Sequence, residues 1–288
     1  MSKLPDFIII GAMKSATSTL HEQLAAQPGI FMSSPKEPNF FSDEPQYAKG
    51  MSWYTSLFKD AAVGDLCGES STHYTKLPTY PKTVTRIWEH IPDVKMIYVM
   101  RHPIDRLVSQ YIHQWTQRET SIDINQAIQQ HPELIAYSQY SQQLEPYFAT
   151  FGQGKILPVF FERLLHESQE ELTRVCQFIG YEGKAVWNWE LDAQNVSSQR
   201  MQKNSWRDFL VEFPVLKTVR KNLIPQSWRD RIKSLWMMKQ KPQINPEQMT
   251  YLKALFDKDL EIVGSWLGTE LDCDRYKQIV RSRSLNWY

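Results

Sequence analysis

Between residues 7 and 181, five short apolar runs alternate with stretches of helical spacing. Phe7 to Ile10 is rich in β-branched residues and reads as a fully buried strand. Gly11 ends it, where the backbone can turn without a Cβ penalty. Leu20, Leu24 and Ala25 then resume at helical spacing, and that helix runs to about Gln27. Gly29 to Met32 predicts a short second strand, broken by Ser33-Ser34-Pro35. Tyr47 to Phe58 predicts a short helix around Trp53, Tyr54 and Phe58, and Asp65 to Ser71 a third strand entering a polar turn. Pro81 to His90 places Val84, Ile87 and Trp88 on one helical face. Lys95 to Met100 is a fourth buried strand, followed by Arg101-His102-Pro103 and a helix through about Gln117. Helical patterns recur at Ile122–Gln130 and Leu134–Phe148; Ile156 to Phe161 is a fifth strand and Glu162 to Ile179 a helix. Alternating strands and helices imply right-handed crossovers and a parallel sheet. After Tyr181 the strand signal stops, and Asn245-Pro246-Glu247 opens a late helix with Asn245 as N-cap. The expected fold class is α/β: a central parallel sheet flanked by helices, with a mostly helical C-terminal portion.

Composition narrows the function classes. The 288 residues are 42% hydrophobic and 12% aromatic, with ten Trp, which is ample for a core and argues against disorder. One domain over 1–288 is expected, with its core at about 5–185 and a basic, helical portion at about 195–288. A net charge of +1 leaves no global footprint for nucleic acid or an anionic membrane. Cys67, Cys176 and Cys273 lie far apart without a CxxC, so buried free thiols are expected and neither a zinc site nor a disulfide framework. No apolar run reaches eighteen residues and no secretory leader is visible; a soluble, cytoplasmic chain is the expectation.

Chemistry concentrates after the first and fourth strands. Strand, hydroxyl- and lysine-rich turn, then helix is the layout of an anion cradle at Lys14-Ser15-Ala16-Thr17-Ser18-Thr19. Unlike GxxxxGK[ST], Lys14 follows Gly11 by only three residues and the second glycine is missing. After the fourth strand, Arg101 and Ser109 (two helical turns along) are placed to grip one dianionic phosphate. Arg106, between them, fits either that task or a structural ion pair.

These loops, about ninety residues apart, resemble the two nucleotide-binding elements of sulfotransferases that use 3′-phosphoadenosine-5′-phosphosulfate (PAPS). The first resembles the 5′-phosphosulfate loop, Lys-[Ser/Gly]-Gly-Thr-[Thr/Ser], with Ala16 where that family has glycine. The second is similar to the 3′-phosphate motif R-x-P-x-x-R-x-x-S. Lys36-Glu37-Pro38-Asn39-Phe40-Phe41, Trp53-Tyr54 and Gly68-Glu69-Ser70-Ser71-Thr72-His73-Tyr74 resemble the heparan-type enzymes and their bacterial relatives; Thr72 replaces a usual proline. The resemblance implies a P-loop-like fold, PAPS as donor, 3′,5′-adenosine bisphosphate (PAP) as product, no metal, and in-line sulfuryl transfer to a hydroxyl of a saccharide, lipid or natural product. It further implies Glu37 as general base and Lys14 as electrostatic catalyst, with His73 a rival base. Lys36, Phe40, Phe41, Trp53 and Tyr54 would wall the acceptor cleft, or the aromatics would pack the core beneath it. Glu69 would bind Lys14 or a substrate hydroxyl, or merely hold its loop. His21 and His102 are given no catalytic role.

Arg200 and Lys203 are placed to close over the nucleotide, as basic loops do in such relatives. Lys217 to Lys241 carries eight Lys/Arg against Asp230 alone and reads first as a solvated helix face; an acceptor lid and a peripheral membrane contact are the other readings. An ATP-dependent kinase-like enzyme and a non-catalytic adenosine-bisphosphate-binding module are the competing functions. The sequence leaves the oligomeric state open.

Overall fold

A computed structural model describes residues 3–191 and 242–288. Five strands form one sheet: β1 (Phe7–Gly11), β2 (Ile30–Met32), β3 (Leu66–Ser70), β4 (Lys95–Met100) and β5 (Ile156–Phe160). Their order is β2-β3-β1-β4-β5 and every pairing is parallel, as the alternation predicts. Parallel strands covered on both faces are apolar throughout, and successive residues divide between two cores. Ile8, Ile10, Met96, Tyr98 and Met100 belong to one; Phe7, Ile9, Ile97, Val99, Leu157 and Val159 to the other.

Helices α1 (Thr17–Ala25), α9 (Phe161–His166) and α10 (Ser168–Ile179) cover the second face, through Leu20, Leu24, Leu164, Leu172 and Val175. The first face is packed by α3 (Gly50–Ser56), α4 (Thr83–His90), α5 (Pro103–Gln117), α6 (Ile124–Gln130), α8 (Tyr140–Phe151), α11 (Pro246–Trp266) and α12 (Tyr276–Ser282). Short helices α2 (Glu44–Tyr47) and α7 (Glu133–Ala136) and 3-10 turns at Thr72–Thr75 and Gln153–Lys155 complete the described elements. Asn245 does cap α11, accepting a hydrogen bond from Gln248 N at 2.8 Å, with Pro246 in the first position.

The helix predicted around Trp53 and Tyr54 is α3, Gly50–Ser56, with Tyr47 ending α2 before it and Phe58 beyond its end. Two predicted helices are each divided. Leu134–Phe148 breaks between α7 and α8, because Ser138 turns inward to Arg106 and Asp259 of α11 caps the new helix. Asp259 accepts from Tyr140 N at 2.7 Å and Ser141 N at 3.0 Å, a long-range cap that local spacing does not encode. Glu162–Ile179 breaks at Glu167, where Ser168 bonds back to the Leu164 carbonyl.

The topology positions the site. From β1 the chain crosses to one side, for β2 and β3, and β4 lies on the other, so the crevice beyond the carboxyl ends of β1 and β4 is the topological switch point. Gly11 closes β1 there, beneath a roof of Thr75 and Tyr98. A Cβ on Gly11 would stand 1.9 Å from Thr75 Oγ1 and 2.9 Å from Tyr98 Cε2. Thr75 is itself anchored by donating to the Ile10 carbonyl at 2.8 Å. Gly11→Ala is therefore expected to cost about 1–3 kcal/mol of stability through overpacking; thermal denaturation checks this, and an unchanged melting temperature contradicts it.

Candidate active site

The first loop, Ala12 to Ala16, leaves β1 with Ala12 N donating to the Val99 carbonyl at 2.9 Å. Lys14 and Ala16 both adopt left-handed backbone, φ 68° and 64°. Ala16 is the N-cap of α1 and offers no side-chain cap, so the first-turn amides at Thr17, Ser18 and Thr19 are open to a ligand. The Ser15 hydroxyl is buried without a hydrogen-bond partner among the described residues. Lys14 is partly buried; burial first, then Arg101, lower the pKa of its ammonium, which Glu37 partly restores.

The second loop follows β4. Arg101 Nη1 donates to the Lys14 carbonyl at 3.1 Å, which ties the two loops together. Its guanidinium lies 4.4 Å from the centre of the Phe161 ring, and its Nε is buried without a partner among the described residues. Tyr140 fixes the Arg101 backbone from both ends, its hydroxyl donating to the carbonyl at 2.5 Å and accepting from the amide at 3.2 Å. Ser109 is half-buried on α5 and makes no hydrogen bond among the described residues. Arg106 is not part of this grip. It is fully buried and donates to Ser138 Oγ, Gln110 Oε1 and the Leu134 carbonyl, with no carboxylate partner among the described residues. Burial pushes its pKa down to about 10, so it stays charged as an internal brace for α5 and α7.

Glu37 stands opposite. Its φ is 58° and its amide donates to the Ser70 carbonyl at 2.9 Å, so the end of β3 holds it in left-handed backbone. Lys36 Nζ donates to Oε1 at 2.7 Å and Thr72 Oγ1 to Oε2 at 3.1 Å. Burial pushes the Glu37 pKa up, but Lys36, Thr72 and Lys76 together outweigh it and the net shift is downward. Lys36 is thus committed to Glu37. Beside it, His73 Nδ1 pairs with Asp43 Oδ1 at 2.8 Å and its ring stacks on Tyr80 at 4.7 Å. Burial and Lys76 lower the His73 pKa against the pull of Asp43, so the neutral ring keeps Nδ1–H toward Asp43.

Several expected substrate contacts are corrected by burial. Phe40, Phe41 and Tyr54 are 1%, 0% and 0% exposed, so they form the core beneath the cleft and do not wall it. Trp53 is half-buried, with Lys49 over its ring at 4.2 Å. Glu69 touches neither Lys14 nor solvent: it is 0% exposed and accepts from Tyr54 Oη at 3.1 Å and Ser71 Oγ at 3.2 Å. Ser71 Oγ in turn accepts from Asn39 N, so Glu69 holds the Glu37 loop from below. Burial pushes its pKa up to about 7. Arg200, Lys203 and Lys217 to Lys241 lie outside the described residues.

Sequence reasoning missed the parts played by Thr72, Asp43 and Tyr140. Thr72 stood in plain view as the hydroxyl replacing a proline; the others depend on tertiary contacts. His21 is buried against Ser70 Oγ at 2.9 Å and its pKa is pushed down to about 4, so it is a neutral structural group. Of the five non-glycine residues with left-handed φ among the described residues, Lys14, Ala16, Glu37 and Asn39 all sit in these two loops. A left-handed alanine stores about 1–2 kcal/mol that glycine would not, offset in part by glycine's freer unfolded chain. Ala16→Gly should therefore raise the melting temperature by roughly 1–3 °C; a lower value contradicts the strain.

Residues 4–261 match the family model described as "Sulfotransferase domain". The mouse heparan sulfate glucosamine 3-O-sulfotransferase 3B1 is 30% identical over 187 residues, covering 62% of this chain and 46% of the relative. The human bifunctional heparan sulfate N-deacetylase/N-sulfotransferase 2 is 26% identical over 198 residues, covering 62% and 22%. The match thus spans less than half the length of these curated relatives. A sulfotransferase structure from Alicyclobacillus acidocaldarius superposes with TM-score 0.65 at 21% identity, over 93% of this chain and 98% of that one. Mouse SULT7A1 complexed with PAP gives 0.54 at 14% identity, over 98% and 90%. These two share the fold. With nine-tenths of its length inside one family model, the chain belongs to the sulfotransferase-domain family.

Proposed function

We propose that the protein transfers a sulfuryl group from PAPS to a hydroxyl of a saccharide acceptor. The observation that carries this reading is the junction of two cationic loops, tied by the 3.1 Å bond from Arg101 to the Lys14 carbonyl, with the ionised Glu37 opposite them. The buried, unpartnered Ser15 Oγ and Arg101 Nε fit a nucleotide with two separate anionic ends. The heparan sulfate enzymes among the relatives favour a saccharide over a lipid or natural-product acceptor. The family match goes against the ATP-dependent kinase-like reading.

When bound, PAPS supplies the sulfuryl group, which carries less negative charge than a terminal phosphoryl and needs less cationic compensation. Lys14, Ser15, Thr17, Ser18 and Thr19 would hold its 5′ end, and Lys14 with the loop amides would stabilise charge collecting on the leaving phosphate oxygen. Arg101 and Ser109 would anchor the 3′-phosphate. Glu37 would take the proton of the acceptor hydroxyl, oriented by Thr72 and kept deprotonated by Lys36. The His73–Asp43 pair would stand beside it as a second acceptor of hydrogen bonds.

Transfer of labelled sulfate from PAPS to a saccharide panel tests the activity, and Glu37→Gln tests the role. Turnover should fall about 10²–10⁴-fold with PAP affinity retained; unchanged turnover removes Glu37 as base and promotes His73. Arg101→Ala should weaken PAP binding itself, by roughly tenfold or more. Tight PAP binding without transfer to any acceptor would favour the non-catalytic module.

The pH profile follows from the sign of the Glu37 shift. A base with a lowered pKa works while deprotonated and is lost only as pH falls through that lowered value, below the usual carboxylate range. Lys36→Met removes the principal lowering cause, so the acidic limb of kcat/KM should move upward. A limb that stays in place assigns it to another group.

A further inference from the structure

Helix α8 begins without a local cap, for its N-cap residue Gln139 makes no side-chain hydrogen bond to the first turn. Asp259 of α11 takes that place. Its Oδ2 accepts from Tyr140 N at 2.7 Å, and its Oδ1 accepts from Ser141 N at 3.0 Å and Ser141 Oγ at 2.5 Å. The Asp259 residue is 5% exposed, so these charge-assisted bonds are little screened and hold the start of α8 closely. Tyr140 carries that hold onward to the second loop. Its side chain is fully buried, edge-on to Tyr98 of β4 with ring centres 5.9 Å apart. Its hydroxyl donates to the Arg101 carbonyl at 2.5 Å and accepts from the Arg101 amide at 3.2 Å.

Arg101 stands one residue past the last register pair of β4 with β5, Met100 with Phe160. There the strand pairing ends, and Tyr140 holds both polar groups of the Arg101 backbone. The guanidinium lies at the far end of a long side chain, so a small turn of its backbone is magnified at Nε and the Nη atoms. The same group also has to place Nη1 on the Lys14 carbonyl and stay against the Phe161 ring. A guanidinium aimed at a phosphate under these constraints depends on where its backbone is held.

We propose that Tyr140 and Asp259 are positioning residues for recognition of the nucleotide's 3′-phosphate. They hold the Arg101 backbone so that its guanidinium meets that phosphate, and they tie the grip to α11. This rests on the reading of Arg101 as the 3′-phosphate anchor and adds to it two residues that act only through Arg101. The competing role is structural: Tyr140 and Asp259 would only secure α8, and their loss would weaken every nucleotide alike.

The test is calorimetric titration of the full chain with PAP and with adenosine 5′-monophosphate (AMP), which lacks only the 3′-phosphate. Wild-type protein should bind PAP at least about tenfold more tightly than AMP. Tyr140→Phe, which removes only the hydroxyl, should cut that ratio about threefold to tenfold while AMP affinity stays within about twofold. Asp259→Asn puts an NH₂ donor where an oxygen accepts, and it should lower the ratio in the same direction. A ratio that survives in Tyr140→Phe overturns the proposal, as does an equal fall in both affinities, which assigns the structural role. Amide hydrogen exchange in the wild-type chain needs no variant to fold. PAP should slow exchange at Tyr140 and Ser141, whose amides bond to Asp259, and AMP should not. Equal slowing by the two nucleotides, or none, contradicts the coupling. Wild-type protein that binds PAP no more tightly than AMP would instead sink the 3′-phosphate reading of Arg101 itself, and the proposal with it.

Discussion

The bond from Arg101 Nη1 to the Lys14 carbonyl, 3.1 Å long, joins two positively charged loops that electrostatics alone would push apart. The sheet imposes this meeting: β1 and β4 are neighbours, and each ends in a cationic loop at the same edge. Burial first, and then Arg101, lower the Lys14 pKa, as a neighbouring cation must. Tyr140 below Arg101 and Phe161 beside it keep the guanidinium in place, and Gly11 lets Thr75 close over the end of β1. What results is a partly desolvated site in which Ser15 Oγ and Arg101 Nε have no hydrogen-bond partner among the described residues. Strain in the loops, at Lys14 and Ala16, is maintained by this packing.

Glu37 is subject to the opposite balance. Its surroundings are desolvated enough to favour the neutral acid, but the Lys36 ammonium at 2.7 Å tips it to the carboxylate. Directly below, Glu69 has no cation and its pKa moves up, to about 7. Glu37 and Glu69 thus shift in opposite directions, through Lys36, Thr72 and Lys76 around the one and full burial of the other. The upper one is free to accept a proton; the lower one ties Tyr54 and Ser71 into a support for the loop. That division explains why a motif dense in aromatic and acidic residues contributes so few groups to the cleft itself.

The parallel sheet was legible because its strands are continuous apolar runs, and so were the places of Lys14, Arg101 and Glu37, each in a loop that follows a buried strand. The divided helices were not, since the α7–α8 break depends on Asp259 reaching back 119 residues to Tyr140. Nor was the inward turn of Phe40, Phe41, Tyr54 and Glu69. In a loop, an aromatic-rich segment reads the same whether it lines a cleft or underlies it; burial decides, and burial is tertiary. Arg106 shows the same limit from the other side, for a motif arginine between Arg101 and Ser109 is an internal brace through Ser138. The α12 helix, with Lys277 paired to Asp105 at 2.6 Å, escaped notice because seven residues carry little periodic signal.

The central claim is a crevice built for a nucleotide that carries phosphate on its 3′ side as well as at its 5′ end. Calorimetric titration of the wild-type chain with PAP and, separately, with ATP in the presence and absence of Mg²⁺ addresses it most directly. The account predicts that PAP binds at least about tenfold more tightly than ATP, and without any need for the metal. Tighter binding of Mg²⁺–ATP, or equal binding of the two nucleotides, would contradict it.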